Sequence, residues 1–552
     1  PSFNELIEKS IVNNWDKDAL TDFKGATLQY HDVARKIEKL HIMFESSGVQ
    51  RGDKIALCGR NSSNWAVAFL ATLTYGAVAV PILHEFTADQ IHNIVNHSEA
   101  KLLFVGDYVA TIIDQTKMPD LEGIIYIPDY SLVVSRTDKL TYAREHLNAM
   151  FGEKYPKFFR KEHVHYYREQ SPEELALINY TSGTTGFSKG VMIPYRAMWS
   201  NYDFAMTAVA KHIKKGDNVI SILPMAHMYG MAFEFIFEFM HGCHVFYLTR
   251  IPSPKIVLKA FGEIKPTIII SVPLIIEKII KKNVLPKLQT PSMKVLLKLP
   301  IISTKIRERI RESLVQAFGG NFYEIIVGGA AFNKEIEKFF WDIAFPYTVG
   351  YGMTECAPII TYAHYDDKRL YSCGKAALNM SIRIDSPDPE KIEGEIQTYG
   401  PNIALGYYKN EEATKDLFTE DGWLRTGDMG IIDKDGYLYI RGRYKCMFLG
   451  PNGQNIYPEE LESVINSFAY VVDSLVIEDN GGLTALVYPD YHQGELDGMN
   501  RDDLEKTLTS QLPEINREIP NYAKIKKIEF MPEDFERTPK KSIKRYLYQR
   551  NK

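Results

Sequence analysis

Apolar positions along the first 170 residues switch repeatedly between two periods. Tyr30-His-Asp-Val-Ala-Arg-Lys-Ile-Glu-Lys-Leu-His-Ile-Met-Phe carries them at helical spacing, and Gly52-Asp-Lys-Ile-Ala-Leu-Cys begins a strand after a turn. Trp65 to Gly76 reads as a buried helix closed by glycine, followed by the strand Ala77-Val-Ala-Val-Pro81. Ala88 to Ser98 is a further helix, leading to the strand Lys101-Leu-Leu-Phe-Val. Alternation of this kind predicts an α/β protein with helices covering its sheets. From Gly394 onward the pattern shortens to strands and turns, which predicts a small β-rich subdomain. The last hundred or so residues read as a second, small α/β domain.

Composition narrows the partners. A net charge of −5 over 552 residues, with 24% charged and 45% hydrophobic positions, excludes nucleic acid as the main partner. The five cysteines are scattered without a C-x-x-C pair, so neither a disulfide framework nor a zinc site is expected, and a reducing cytoplasm is the simplest setting. The first residues lack a basic-then-apolar signal pattern and no apolar run is long enough to span a bilayer. One region departs from the bland average. After Leu274-Ile-Ile-Glu-Lys-Ile-Ile-Lys-Lys282, basic residues recur from Lys287 to Arg311, interleaved with Leu and Ile. This is either a solvated helical face or a basic amphipathic surface touching anionic lipid.

Chemistry concentrates in Tyr180-Thr-Ser-Gly-Thr-Thr-Gly-Phe-Ser-Lys-Gly190. Gly183 and Gly186 let the backbone approach an anion, Thr181, Ser182, Thr184 and Thr185 add hydroxyl donors, and Lys189 adds a positive charge. Apolar strands flank the run on both sides, and the order does not fit a Walker A loop, which opens a helix with Gly-Lys-Ser/Thr. A Ser/Thr/Gly-rich surface hairpin is the bland alternative. Further along, Ile325-Ile-Val-Gly-Gly-Ala-Ala-Phe332 is a strand running into a glycine turn at Gly329 and Ala330, suited to flat packing of a base against backbone. Tyr347-Thr-Val-Gly-Tyr-Gly-Met-Thr-Glu355 ends in a hydroxyl and a carboxylate, and Asp428 in Gly422-Trp-Leu-Arg-Thr-Gly-Asp428 could accept hydrogen bonds from a ribose diol.

The Thr/Ser/Gly/Lys loop resembles the phosphate-binding signature of the adenylate-forming superfamily, which includes acyl- and aryl-CoA ligases, peptide-synthetase adenylation domains and luciferase. Ser188 stands where that family usually has proline. Five separated motifs occur in family order, and the segment around 266–311 looks most like the long-chain fatty acyl-CoA synthetase branch. The resemblance implies ATP, Mg²⁺ and coenzyme A as cofactors, and a reaction in which a fatty acid becomes acyl-AMP and then acyl-CoA. It implies that Tyr351 and Gly352 border adenine, that Thr354 contacts the α-phosphate, and that Glu355 with Thr181 belongs to the magnesium site. His227 in Leu223-Pro-Met-Ala-His-Met-Tyr-Gly230 would sit beside the carboxylate to be activated, although a lone histidine beside an apolar helix is also an ordinary structural residue. No acid follows before Glu234, against the aspartate by which peptide-synthetase domains hold an amino group. Arg443 would reach the nucleotide and Lys445 would be the hinge, dividing the chain into a large domain, 1–444, and a small mobile one, 445–552.

The C-terminal run Arg537-Thr-Pro-Lys-Lys-Ser-Ile-Lys-Arg545 departs from the family pattern. Alignment without a gap puts Ser542 where the family has its bridging lysine, with Lys541 as immediate neighbour. Either Lys541 reaches the site or adenylation is slowed. Three readings therefore stand at this point: a fatty acid–CoA ligase, cytoplasmic, with peripheral membrane contact or a homodimer as further partners; transfer to a carrier-protein phosphopantetheine; and a weakly catalytic nucleotide- or acyl-binding protein.

Overall fold

The computed structural model describes residues 1–181, 188–249, 252–450, 455–539 and 541–550. Its largest sheet has eight strands, in the spatial order Gly406–Tyr407, Gly190–Pro194, Leu175–Tyr180, Val78–Ile82, Lys54–Cys58, Leu102–Val105, Gly123–Tyr126 and Leu132–Ser135. The middle five are parallel and the edges antiparallel. Parallel strands need covering on both faces. Helix Ser63–Tyr75 supplies part of that cover and is buried over most of its length. Ser62 caps its start by accepting from the Trp65 amide, and Gly76 ends it with φ +93°, a left-handed conformation that glycine takes without strain. The predicted helix Ala88–Ser98 forms with the expected bounds, capped by Thr87 and Gln90.

A four-stranded sheet joins Asn218–Ser221, His244–Tyr247, Asp18–Asp22 and Thr27–Gln29, and its apolar contacts merge with those of the large sheet into one core. A smaller parallel sheet, Ile269–Ser271, Ile325–Val327 and Tyr347–Val349, has a core of its own rich in phenylalanine. The β-rich portion expected after Gly394 is an antiparallel sheet of Ser381–Asp385, Gly394–Tyr399, Leu424–Ile432 and Leu438–Arg443.

Beyond residue 455 a separate apolar core gathers Leu461, Ile465, Val476, Val487, Leu504 and Ile525 around the sheet Val471–Asp479, Gly482–Pro489, Ile525–Phe530. Polar contacts link this unit to the rest. The Lys281 ammonium donates to the Asn466 carbonyl, and Lys541 pairs with Glu85 at 2.7 Å. Among the described residues no helix is long and apolar enough to cross a membrane.

Candidate functional site

The three parallel strands of the smaller sheet run in register, with Ser271, Val327 and Val349 side by side, so the segments leaving their C-terminal ends converge. Such a convergence is where open α/β sheets take ligands. From the first strand comes Val272, from the second Gly328 and Gly329, and from the third Gly350 and Tyr351. Tyr229 closes the floor. Its hydroxyl donates to the carbonyls of Ser271 and Ile326, each at 3.1 Å, and a Cβ at Gly328 would stand 3.1 Å from its ring. Gly329 is left-handed at φ +87°, and both it and Ala330 present backbone to solvent, as a flat base-packing turn requires.

Tyr351 crosses from this sheet to the β-rich one. Its hydroxyl donates to Asp428 Oδ2 at 2.5 Å, while the Arg443 guanidinium donates to Asp428 Oδ1 at 3.1 Å. Strand pairing sets this up, because Asp428 and Arg443 are direct partners in the antiparallel ladder. Sequence alone suggested an acid following a tight turn; the structure instead places Asp428 inside the strand Leu424–Ile432, after Gly427 at φ +73°. Burial raises the Asp428 carboxyl from its ordinary value, with Arg443 opposing the shift. The Tyr351 phenol is raised by burial and further by the Asp428 charge. Each carboxylate oxygen keeps a second lone pair, so the pair remains able to accept from a vicinal diol. Gly352 is required for packing: a Cβ there would lie 2.2 Å from the Pro358 carbonyl oxygen.

A second cluster forms where Glu355 meets the neck of the phosphate loop. Thr354 is buried, and the Glu355 Oε2 atom accepts from the Tyr407 hydroxyl at 2.8 Å. Tyr407 belongs to the edge strand Gly406–Tyr407 and pairs with Val191, two residues beyond Lys189. The Lys189 ammonium lies 5.2 Å from the centre of the Tyr407 ring, within cation–π range. At the loop's neck the Thr181 amide donates to the Lys189 carbonyl at 3.0 Å. One tyrosine therefore joins the candidate metal carboxylate to the candidate phosphate-binding lysine. Ser182, Gly183, Thr184, Thr185 and Gly186 lie outside the described residues.

His227 caps the helical turn Met228–Met231, its Nδ1 accepting from the Tyr229 amide at 3.2 Å. Asn179, one residue before the loop's Tyr180, donates to the Ala226 carbonyl at 2.7 Å and fixes His227 beside that loop. Glu234, the first acid after this segment, is buried and accepts from the Ile222 and Leu223 amides, with Leu223 at 2.7 Å. Burial drives its carboxyl well above the ordinary value, so it is a structural group already supplied with donors.

On the C-terminal unit, the Thr538 amide donates to the Ser542 carbonyl at 2.7 Å and the Lys541 amide to the Thr538 carbonyl at 2.8 Å, closing a tight turn with Lys541 at φ +70°. This turn points the Lys541 side chain at Glu85, three residues past the strand Val78–Ile82, and that strand neighbours the one leading to the phosphate loop. Adjacent His84 is depressed below its ordinary value, chiefly by burial. Lys541 thus contacts the large unit. Lys445 is exposed on the single turn Tyr444–Cys446 directly after Arg443.

The donor set suits a hard, hydrated cation. Among the described residues no three His, Cys, Asp or Glu side chains gather as a cage. Magnesium takes one or two carboxylates, substrate phosphates and waters in place of a full protein cage, so Glu355 with nearby hydroxyls is a fitting arrangement.

Tyr407 was not singled out in the sequence. Nothing in Ala404-Leu-Gly-Tyr-Tyr408 announces chemistry, and only the pairing of Tyr407 with Val191, far apart in the chain, brings it to the loop.

The pattern defining AMP-binding enzymes matches residues 7–408, and that of the AMP-binding enzyme C-terminal domain matches residues 448–551. A long-chain-fatty-acid–CoA ligase of Mycobacterium bovis is 26% identical over 93% of this chain and 89% of its own. One of Rattus norvegicus is 25% identical over 91% of this chain and 78% of its own. Among solved structures, an anthranilate CoA ligase in complex with anthranoyl-AMP superposes with a TM-score of 0.77 at 18% identity, covering 99% of this chain and 96% of that one. An o-succinylbenzoate CoA synthetase of Bacillus subtilis, in complex with ATP and magnesium ion, gives 0.74 at 19% identity over 98% of each chain.

Proposed function

The chain belongs to the AMP-binding enzymes, and from that premise we propose that it activates a fatty acid, most consistent with a long chain, as acyl-AMP and transfers the acyl group to coenzyme A. The observation that carries this reading is the convergence of Asp428, Glu355 and Lys189 along one crevice, spaced by Tyr351 and Tyr407. Asp428, its oxygens oriented by Tyr351 and Arg443, accepts the ribose hydroxyls, and the Gly329–Ala330 backbone with Tyr351 and Gly352 borders the adenine. Lys189, Thr181 and the loop residues Ser182 to Gly186 hold the phosphates. Magnesium, held through Glu355 with Thr181 nearby, would neutralise phosphate charge that grows toward the transition state. Thr354 contacts the α-phosphate.

The acyl carboxylate approaches the α-phosphorus beside His227 and displaces pyrophosphate. Lys541 supplies the cation that pairs with the attacking carboxylate and the α-phosphate, filling the role that Ser542 cannot, since a hydroxyl carries no charge. With the adenylate formed, the C-terminal unit, 445–552, turns about Lys445 and admits the thiol of coenzyme A, which attacks the acyl carbon and releases AMP. The engaged state of Glu234 supports an acyl group without an amine, because that buried carboxyl is already committed to two backbone amides. The long-chain assignment rests on the named relatives.

Mass spectrometry of products tests the reading. The protein is mixed with Mg-ATP and a series of fatty acids from medium to long chain, with and without coenzyme A. Acyl-CoA and AMP formed only with coenzyme A, and best with the longer acids, is the expected result. Acyl-AMP that coenzyme A fails to consume would assign the acceptor to a carrier protein, and absence of ATP consumption would overturn the enzyme reading.

A further inference from the structure

Residues 278–307 hold eight lysines and arginines and not one aspartate or glutamate, in a chain whose net charge is −5. The helices Pro273–Asn283, Leu285–Leu288, Pro291–Leu296 and Pro300–Ala317 carry this stretch, and it leaves the smaller sheet directly after Val272 at the crevice. Its inner side is anchored: Ile276, Ile279, Ile280 and Leu314 are buried in the phenylalanine-rich core. Its outer side is apolar where solvent should favour polar residues. Val295 is 63% exposed and Ile301 75%, and Leu296, Leu299 and Ile302 between and beside them are exposed too. These five lie within eight consecutive positions, at the knuckle between two helices that each begin with proline, and exposed Lys294, Lys298 and Lys305 are interleaved with them. Scattered apolar residues on a surface need no explanation, whereas a contiguous group of this kind marks an interaction face.

We propose that this knuckle docks the protein on the surface of an anionic phospholipid bilayer, with Val295, Leu296, Leu299, Ile301 and Ile302 entering the headgroup and upper acyl boundary and the lysines pairing with lipid phosphates. Charge decides among the occupants. A second copy of this chain meeting the same face across a two-fold axis would set one basic segment against another, a like-charge juxtaposition that opposes association. A bilayer bearing negative headgroups complements both features at once, as it does for basic amphipathic surface helices generally. The helical stretch that ends in the knuckle starts directly after Val272, at the crevice. Binding to the bilayer is independent of the ligase reading and stands or falls by itself.

The test is co-sedimentation of the full chain with vesicles of phosphatidylcholine alone or mixed with phosphatidylglycerol, at low and high salt. The expected result is binding that needs phosphatidylglycerol and weakens with salt. Combined Lys294→Glu, Lys298→Glu and Lys305→Glu should lower partitioning at least about tenfold, since each basic residue near an anionic surface contributes severalfold. Val295→Ser with Ile301→Ser should also lower it, and neither set should alter turnover of a water-soluble acyl substrate, because none of these side chains belongs to the crevice. Equal partitioning of variants and parent would overturn the proposal. So would a stable dimer in size-exclusion chromatography that Ile301→Ser dissociates, or tighter binding to a mixed-sequence duplex DNA than to the anionic vesicles.

Discussion

The surroundings of Asp428 and of Lys541 are built to opposite standards. Around Asp428 the side chain is 10% exposed, its partners are fixed by strand pairing and by the half-buried Tyr351, and the residue after Tyr351 has no room for a Cβ. Around Lys541 the charge-bearing side chain is 50% exposed, sits on a turn of a separate unit, and reaches the large unit through one ion pair with Glu85. A buried polar cluster is costly to break, whereas an exposed ion pair contributes only about 0–1 kcal/mol and breaks cheaply. The difference teaches where motion is allowed. On the proposed reading the nucleotide would meet a preorganised end, and Lys541 would be delivered by a contact weak enough to be released between the two half-reactions.

The sharpest way to break this contrast is to attack the rigid end. Asp428→Ala removes the acceptor shared by the half-buried Tyr351 hydroxyl and the exposed Arg443 guanidinium, so it should cost about 1 kcal/mol of stability, the net worth of a hydrogen bond, and reduce activity by a larger factor than any change on the C-terminal turn. Thermal unfolding and ATP-dependent turnover read the two effects together; loss of activity with an unchanged melting temperature would mean the cluster is not structural.

At the movable end the two readouts should separate. Lys541→Ala should slow adenylation about a hundredfold or more, the scale for removing one charge-stabilising group, while shifting the melting temperature little. Ser542→Lys sharpens the point. If it accelerates adenylation in the Lys541→Ala background, the expected lysine position is functional and the turn has merely moved it; if it does nothing, Lys541 alone carries the charge. A Lys541→Ala enzyme of full activity would remove the C-terminal turn from the mechanism.

Tyr407→Phe tests the rigid half more finely. The ring over Lys189 remains and the hydrogen bond to Glu355 is lost, so the expected change is a roughly tenfold weaker response to magnesium, about the worth of one hydrogen bond to a charged group, with the fold intact. Titrating magnesium at saturating ATP measures it, and an unchanged midpoint would reduce Tyr407 to packing.

The smallest expected effect is a pH dependence of docking between the units. Glu277, on the helix that carries Lys281, is pushed up to about 7 by burial, with Lys281 and the Asn333 amide opposing and Asp473 of the C-terminal unit adding to the shift, while Arg537 opposes it. A carboxyl raised from 4.5 to about 7 stabilises the docked arrangement fully below the lower value and loses that contribution as pH rises toward the upper one. Protease cleavage near Lys445 should therefore quicken between about pH 4.5 and about pH 7, and Glu277→Gln should flatten the profile. A flat profile in the parent would show that Glu277 keeps an ordinary proton affinity.

Much of this was legible beforehand because it depends on local order. Helix Ala88–Ser98 follows from its Thr87 cap and apolar spacing, and the strands Leu175–Tyr180 and Gly190–Pro194 follow from the apolar runs on either side of the Thr/Ser/Gly/Lys segment. Gly329, Glu355, Asp428 and Arg443 stand in recognisable runs, each a few residues long. Other features were not legible, for a common reason. Tyr407 acquires meaning only from an antiparallel pairing with Val191, and Glu85 only from the approach of a turn more than four hundred residues later. The basic residues from Lys287 to Arg311 allowed two readings, and the exposure of Val295 and Ile301, on which the membrane proposal draws, is something no periodicity reports.

The sequence by itself determined the chemistry available, since side-chain type and spacing along a strand or turn decide which groups can bind phosphate, diol or cation. Tertiary structure alone decided which of those groups meet. Contacts between distant segments depend on strand register and on how separate units dock, and both are set by the summed packing of the whole chain, not by any short run of residues.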